Sequence, residues 1–197
     1  MVRVALGAGL LLACALAAGF LHKQEQQVPE VPLAPMALQD QGVGPFLLGG
    51  DFLEAERSAF RVAAESAFSG IGCGGFAEIR YDGWLGEHFV GVMAMSGDDR
   101  IESVEITLHE TPRARNQEDC LRLRDGFAEP FLSRFGAFAS SWQVTRPLSR
   151  ETLARTGPVL ITARWFDTGG DCYVSARYGV RVEDAARRGA AMVGFGE

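Results

Sequence analysis

The chain has 197 residues, with 19 Lys+Arg against 25 Asp+Glu and a formal net charge of −6. Hydrophobic residues make up 47% and aromatic residues 10%, enough for one core and outside the disordered class. The acidic balance leaves no basic surplus to displace counterions, so no nucleic-acid partner is expected; three His and four Cys argue against a multi-ligand metal site, and no cofactor is expected.

At the N-terminus Arg3 precedes an apolar run from Val4 to Leu21, followed by His22 and Lys23. That is the layout of a basic n-region and an export core, so residues 1–21 read as a signal peptide or membrane anchor. Three outcomes stay open. Ala15-Leu16-Ala17 offers a small-x-small cleavage site. The uninterrupted run is near the lower bound for a membrane span and would also serve as a retained anchor. Leu11-Leu12-Ala13-Cys14 has the form of a lipobox, although the apolar run continues well past Cys14. All three place the folded part outside the cytoplasm, so the expected location is periplasmic, with membrane contact only through residues 4–21. Residues 22–41 are rich in Gln and Pro, with Pro29, Pro32 and Pro35 at a spacing that favours polyproline II. This segment reads as a linker.

An α+β domain is expected over residues 42–183, with a C-terminal tail over 184–197. It opens on the apolar turn Gly42–Gly50. Asp51 makes a good N-cap with Glu54 three residues on, and Phe52, Ala59, Phe60, Ala63 and Ala67 recur at helical spacing. The spacing predicts a helix over 51–68, stopped by the glycines of Ser69–Gly75. Strand-like runs follow at Phe76–Tyr81, His88–Met95 and Ile101–His109, the last alternating Val104, Ile106 and Leu108 with polar neighbours. Ser96–Asp99 reads as a hairpin turn. Asn116 then caps a second helix running to Phe135, with Cys120, Leu123, Phe127 and Phe131 on one stripe and Gly136 as the stop. Pro130 lies inside it and clashes with the carbonyl four residues back, at Gly126. Trp142–Pro147, Pro158–Phe166 and Cys172–Val182 read as strands, with a short capped turn at Ser149 between the first two.

The order α-β-β-β thus occurs twice, which is compatible with a tandem repeat, although no residue identity accompanies it. A doubled helix-plus-meander unit in a small exported protein resembles, in element order only, the β-lactamase inhibitor proteins and the small outer-membrane assembly lipoproteins of bacterial envelopes. The resemblance implies a curved antiparallel sheet with helices on one face, used to bind proteins. No residue motif matches, so no functional residue carries over.

Outside the cytoplasm cysteines form disulfides. Setting Cys14 aside leaves Cys73, Cys120 and Cys172, and one bridge with one thiol over. Cys120–Cys172 is the preferred pair, tying the second helix to the last strand. Asp167-Thr168-Gly169 matches the aspartic-protease triplet, but those sites need a second carboxylate copy and none occurs, so a hairpin loop is the better reading. Asp98, Asp99 and Glu102 lack the ligand spacing of a calcium loop. No phosphate loop, nucleophile elbow or His-Glu-x-x-His is present.

The more informative feature is the hairpin tip Asp82–His88, which sets Trp84 and Leu85 between glycines and beside Asp82 and Glu87. Aromatic anchors with a charged rim are typical of binding hot spots. The alternative is that Trp84 folds back onto the core. Trp142 and Trp165 are expected in the core, as are Met93 and Met95, which share a strand face with Phe89. The expected function is therefore a non-enzymatic module that binds another envelope protein through Trp84, Leu85, Asp82 and Glu87, with no catalytic residue and no metal. The rival is a periplasmic hydrolase using His88 or His109 with carboxylates or Cys73.

Overall fold

A computed structural model describes residues 36–72, 75–109 and 113–179. Everything described below belongs to one compact unit, Leu33–Glu197. The expected export segment, most of the linker, Cys14, Cys73 and the C-terminal tail lie outside the described residues.

Three two-residue strands come first: β1 (Leu38–Gln39), β2 (Gly42–Val43) and β3 (Phe46–Leu47), paired in a small sheet of their own. Helix α1 (Phe52–Val62) follows, then β4 (Phe68–Ile71), β5 (Ala77–Leu85), β6 (His88–Gly97) and β7 (Arg100–Leu108). Helix α2 (Gln117–Phe135) precedes β8 (Ser140–Arg146), β9 (Ser149–Thr156), β10 (Val159–Phe166) and β11 (Cys172–Tyr178). The last eight strands form one antiparallel sheet in the order β4-β5-β6-β7-β11-β10-β9-β8. The fold is α+β, and each of the two described helices is followed by four strands.

Local chemistry explains the boundaries. The Asp51 carboxylate accepts from the Glu54 amide at 2.9 Å, and the Asn116 side chain accepts from the Asp119 amide at 2.9 Å, each satisfying one free donor of a helix start. Two-residue turns close the β5–β6 and β6–β7 hairpins. Gly86, at φ 61°, opens the first, and Asp98 and Asp99 both take positive φ in the second, the twist that matches flanking strands. Register then carries one hydrophobic face across the sheet: Tyr81 opposes Val92, Val92 opposes Ile106, Ile106 opposes Ala176, and Ala176 opposes Ile161. Those residues join Phe52, Ala55 and Ala59 of α1 and Phe127, Ala128 and Phe131 of α2 in a single core cluster. The Cys120–Cys172 disulfide is present, with a Cα–Cα distance of 5.5 Å, and pins α2 to β11.

Four expectations need correction. Helix α1 ends at Val62, not Phe68, because Ser66 and Phe68 are taken by β5. The Ser66 hydroxyl binds the Asp82 backbone, and Phe68–Ile71 pairs with Ala77–Arg80. The folded part begins before Gly42: the Met36 amide donates to the Trp84 carbonyl at 2.7 Å, and Leu38–Gln39 pairs with Gly42–Val43. The segment from Ser149 is a full strand, not a capped turn. Its side chains Glu151, Leu153 and Thr156 are buried by pairing on both sides. Each helix is accordingly followed by four strands where three were expected.

Candidate functional site

Strand alternation sends Asp82 and Trp84 to the opposite side of β5 from Tyr81 and Leu85. Trp84 is 44% exposed, whereas Leu85 is 2% exposed and belongs to the core. The hairpin therefore presents Trp84, flanked by Asp82 on the same face and by exposed Glu87 at the turn, but it does not present Leu85. That corrects the expected quartet, because two adjacent strand residues cannot share a face.

Register assembles the rest of this face. Trp84 opposes Phe89 on β6, and their rings lie 5.4 Å apart; the Phe89 ring in turn lies 5.1 Å from the His109 imidazole. His109 Nε2 is 2.7 Å from the Asp82 carboxylate. Four side chains, from β5, β6 and the residue that follows β7, thus form one patch. Gly91 leaves room for it: a Cβ there would lie 2.8 Å from His109 Nε2 and 3.3 Å from Asp82 Oδ1, so the imidazole would have to shift. A glycine inside a strand signals such a close approach and was the available clue.

Two further clusters continue across the same face. On β7 and β11 the Tyr173 hydroxyl donates to Glu105 Oε1 at 3.2 Å and accepts from the Thr107 hydroxyl at 3.2 Å. Arg177 donates to Glu105 Oε2 at 2.6 Å. Burial, opposed in part by the Thr107 hydrogen bond, pushes the Tyr173 hydroxyl above its ordinary range. On β9 the buried Glu151 receives Arg164 of β10 at 2.9 Å and Arg146 of β8 at 3.3 Å. At the far side Glu78 is paired with Arg80 at 2.5 Å. Three Glu–Arg arrangements therefore lie on the face opposite the core, and none was identified from sequence. Glu105 is one of the polar neighbours that alternate with Val104 and Ile106, and alternation alone does not mark its partners. Met93 and Met95 sit half-buried on this face, between Glu105 and Glu78, and not in the core as expected. Trp142 lies at the β8 end of the same face, half-buried, and its indole N–H has no hydrogen-bond partner among the described residues.

The remaining candidates fall elsewhere. His88 is on the core side, its Nε2–H donating to the Gly126 carbonyl at 3.2 Å, so His88 and His109 do not converge. Trp165 packs against the core and donates to the Ala114 carbonyl at 3.3 Å. Asp167–Gly169 form part of the loop between β10 and β11, and Asp98 and Asp99 are the β6–β7 turn, whose Asp99 carbonyl accepts from the Phe52 amide. Among the described residues no group of three His, Cys, Asp or Glu is placed to hold a metal ion. No described helix is long and apolar enough to cross a membrane.

Compared with family models, curated proteins and solved structures, the chain has no match.

Proposed function

We propose that this chain is a non-enzymatic, exported module of the bacterial cell envelope that binds another envelope protein through the sheet face carrying Trp84. In this reading both helices cover one face of the sheet and leave the other open. Supporting it, the buried residues of α1 and α2 fall in the same cluster as the inward side chains of β5, β6, β7, β10 and β11. The strand order supports a tandem origin as well: β4-β5-β6-β7 and β8-β9-β10-β11 run inward from the two edges and meet at the β7–β11 pair, an arrangement symmetric about that pair.

The observation that carries the proposal is the Trp84–Phe89–His109 ladder with Asp82 beside it, on a face that also bears the exposed Tyr173. Aromatic groups held rigid by stacking lose little entropy on contact, and a polar rim confers orientation. The Glu–Arg pairs fix the intervening surface before any partner arrives. Export follows the Arg3–Leu21 segment and the disulfide, which is at home in an oxidising compartment.

The test is affinity capture of the tagged chain from envelope fractions, with Trp84→Ala and His109→Ala variants alongside. A specific envelope protein should co-purify with the parent chain and be lost with Trp84→Ala, while circular dichroism stays unchanged. Retained capture with both variants would remove this face from the interaction.

A further inference from the structure

Strand β4 forms one edge of the large sheet, and no strand among the described residues pairs with its outer side. The ladder reveals which of its backbone groups face outward. The Gly72 amide donates to the Phe76 carbonyl at 2.9 Å, continuing the register Gly70↔Glu78 and Phe68↔Arg80. Groups alternate from side to side in an antiparallel ladder. Phe68, Gly70 and Gly72 therefore turn their amides and carbonyls toward β5, and Ser69 and Ile71 turn theirs outward. Beside this open row, Phe68 is 59% exposed, Ile71 74% and Phe76 52%. Phe68-Ser69-Gly70-Ile71 contains no charge and no proline, the residues that ordinarily blunt an edge; only its shortness does so. The opposite edge, β8, presents Ser140, Ser141, Gln143 and Thr145 and ends in Arg146.

From this we infer that β4 is the interface between two copies of this chain, paired antiparallel about a two-fold axis at Gly70. The strand is self-complementary in that register. Ser69 of each copy opposes Ile71 of the other, so the two outward-facing residues of one strand exchange four hydrogen bonds with the same two of its mate. Gly70 opposes Gly70, so neither adds a side chain of its own at the axis, where each Phe68 ring packs over its own Gly70, and Phe68 opposes Gly72. Both copies keep the same face up, as a continuous sheet requires. Charge permits the union: Glu78, the nearest acid on that face, is neutralised by Arg80 within its own copy, so an acidic chain meets its twin along a neutral seam. The exposed parts of Phe68, Ile71 and Phe76 from two copies, with the paired backbones, bury on the order of 1,000 Å², the lower end for a specific interface. A reversible dimer follows, held by main-chain hydrogen bonds with apolar flanks, as in strand addition generally.

The experiment uses the full chain. In a Cys14→Ser/Cys73→Ser background, Gly70→Cys sets two thiols opposite each other at a non-hydrogen-bonded pair, about 4.5 Å between Cα atoms, within disulfide reach. A reducible dimer should appear on oxidation, be absent from the Cys14→Ser/Cys73→Ser background alone, and disappear when Ile71→Lys is added. A Cβ at Gly70 meets only the movable Phe68 ring. Independently of that variant, the unmodified chain should sediment as a dimer at about 0.1 mM and Ile71→Lys as a monomer with the same circular dichroism. A monomeric unmodified chain, as when residues 180–197 or a foreign strand fill the edge, overturns the proposal. So does a dimer that survives Ile71→Lys, or the absence of the Gly70→Cys cross-link in a folded protein.

Discussion

His88 Nε2 lies 3.2 Å from the carbonyl oxygen of Gly126, and the contact joins β6 to α2 where the helix cannot satisfy itself. Pro130 occupies the position whose amide would bond Gly126, and proline has none. A carbonyl only accepts, so Nε2 carries the proton. The imidazole also meets Phe127 edge-on at 5.8 Å, so one side chain supplies both a missing donor and a packing surface.

His88→Ala should therefore destabilise the fold by about 1–2 kcal/mol, the cost of an unmade hydrogen bond with some lost packing. Pro130→Ala restores a backbone donor for Gly126. In that background the cost of His88→Ala should fall by about 1 kcal/mol, a coupling that a double-mutant cycle in urea reads directly. Equal costs in the two backgrounds would mean that His88 does not answer the proline.

The Pro130–Gly126 conflict was visible in the sequence, and so was its site in α2; the side chain that resolves it was not. His88 is 38 residues away, and only the β5–β6 register brings it there. The same division holds across the molecule. Caps at Asp51 and Asn116, the alternation of β7 and the hairpin at Asp98–Asp99 are local and were legible. β4 and β9 were missed because glycine, in one, and Ser-Arg-Glu-Thr, in the other, read locally as turn, and long-range pairing overrode that preference. Trp84 was singled out by its glycine flanks, yet Phe89 and His109 beside it depend on registers between three strands.

The bridge between Cys120 and Cys172 closes a separation of 52 residues. In the chain-entropy model, removing such a constraint costs about 4 kcal/mol. A Cys120→Ser/Cys172→Ser chain should accordingly lose about 10 °C or more in melting temperature by calorimetry, since about 1 kcal/mol shifts a domain of this size by a few degrees. A shift below about 2 °C would place the stability of the α2–β11 junction in its packing, around Phe127 and Phe131, and not in the bridge.

Alkaline pH should unfold the protein through its buried phenols. Burial holds the hydroxyls of Tyr81 and Tyr178 well above the usual tyrosine range; for Tyr178, Arg134 opposes this and Asp40 adds to it. Their folded values are raised, so below about pH 10 both states are protonated and stability is complete. Above that pH the unfolded chain releases protons that the native one keeps. Stability then falls by up to about 1.4 kcal/mol per pH unit for each tyrosine. Burial raises Tyr173 as well, so Tyr81→Phe should lower the slope of stability against pH above pH 10 by about a third to a half, measured by urea unfolding. An unchanged slope would mean that Tyr81 ionises in the native state.

Glu105 gives the last test, because it separates preorganisation of the open face from simple ion-pair stability. Its carboxylate is buried and held by Arg177 at 2.6 Å and by the Tyr173 hydroxyl at 3.2 Å. Arg177→Leu leaves that carboxylate with one donor. The arginine is partly exposed, so the loss is discounted for solvent and should be about 1–2 kcal/mol, below the value for a fully buried pair. Replacing both partners, Glu105→Leu with Arg177→Leu, removes the stranded charge as well, and thermal unfolding should recover to within about 1 kcal/mol of the parent. If the double variant regains stability yet still loses the partner captured by the parent chain, the pair serves to hold Tyr173 and its neighbours in a binding geometry. If it regains both, Glu105 and Arg177 are a structural pair that the partner does not read.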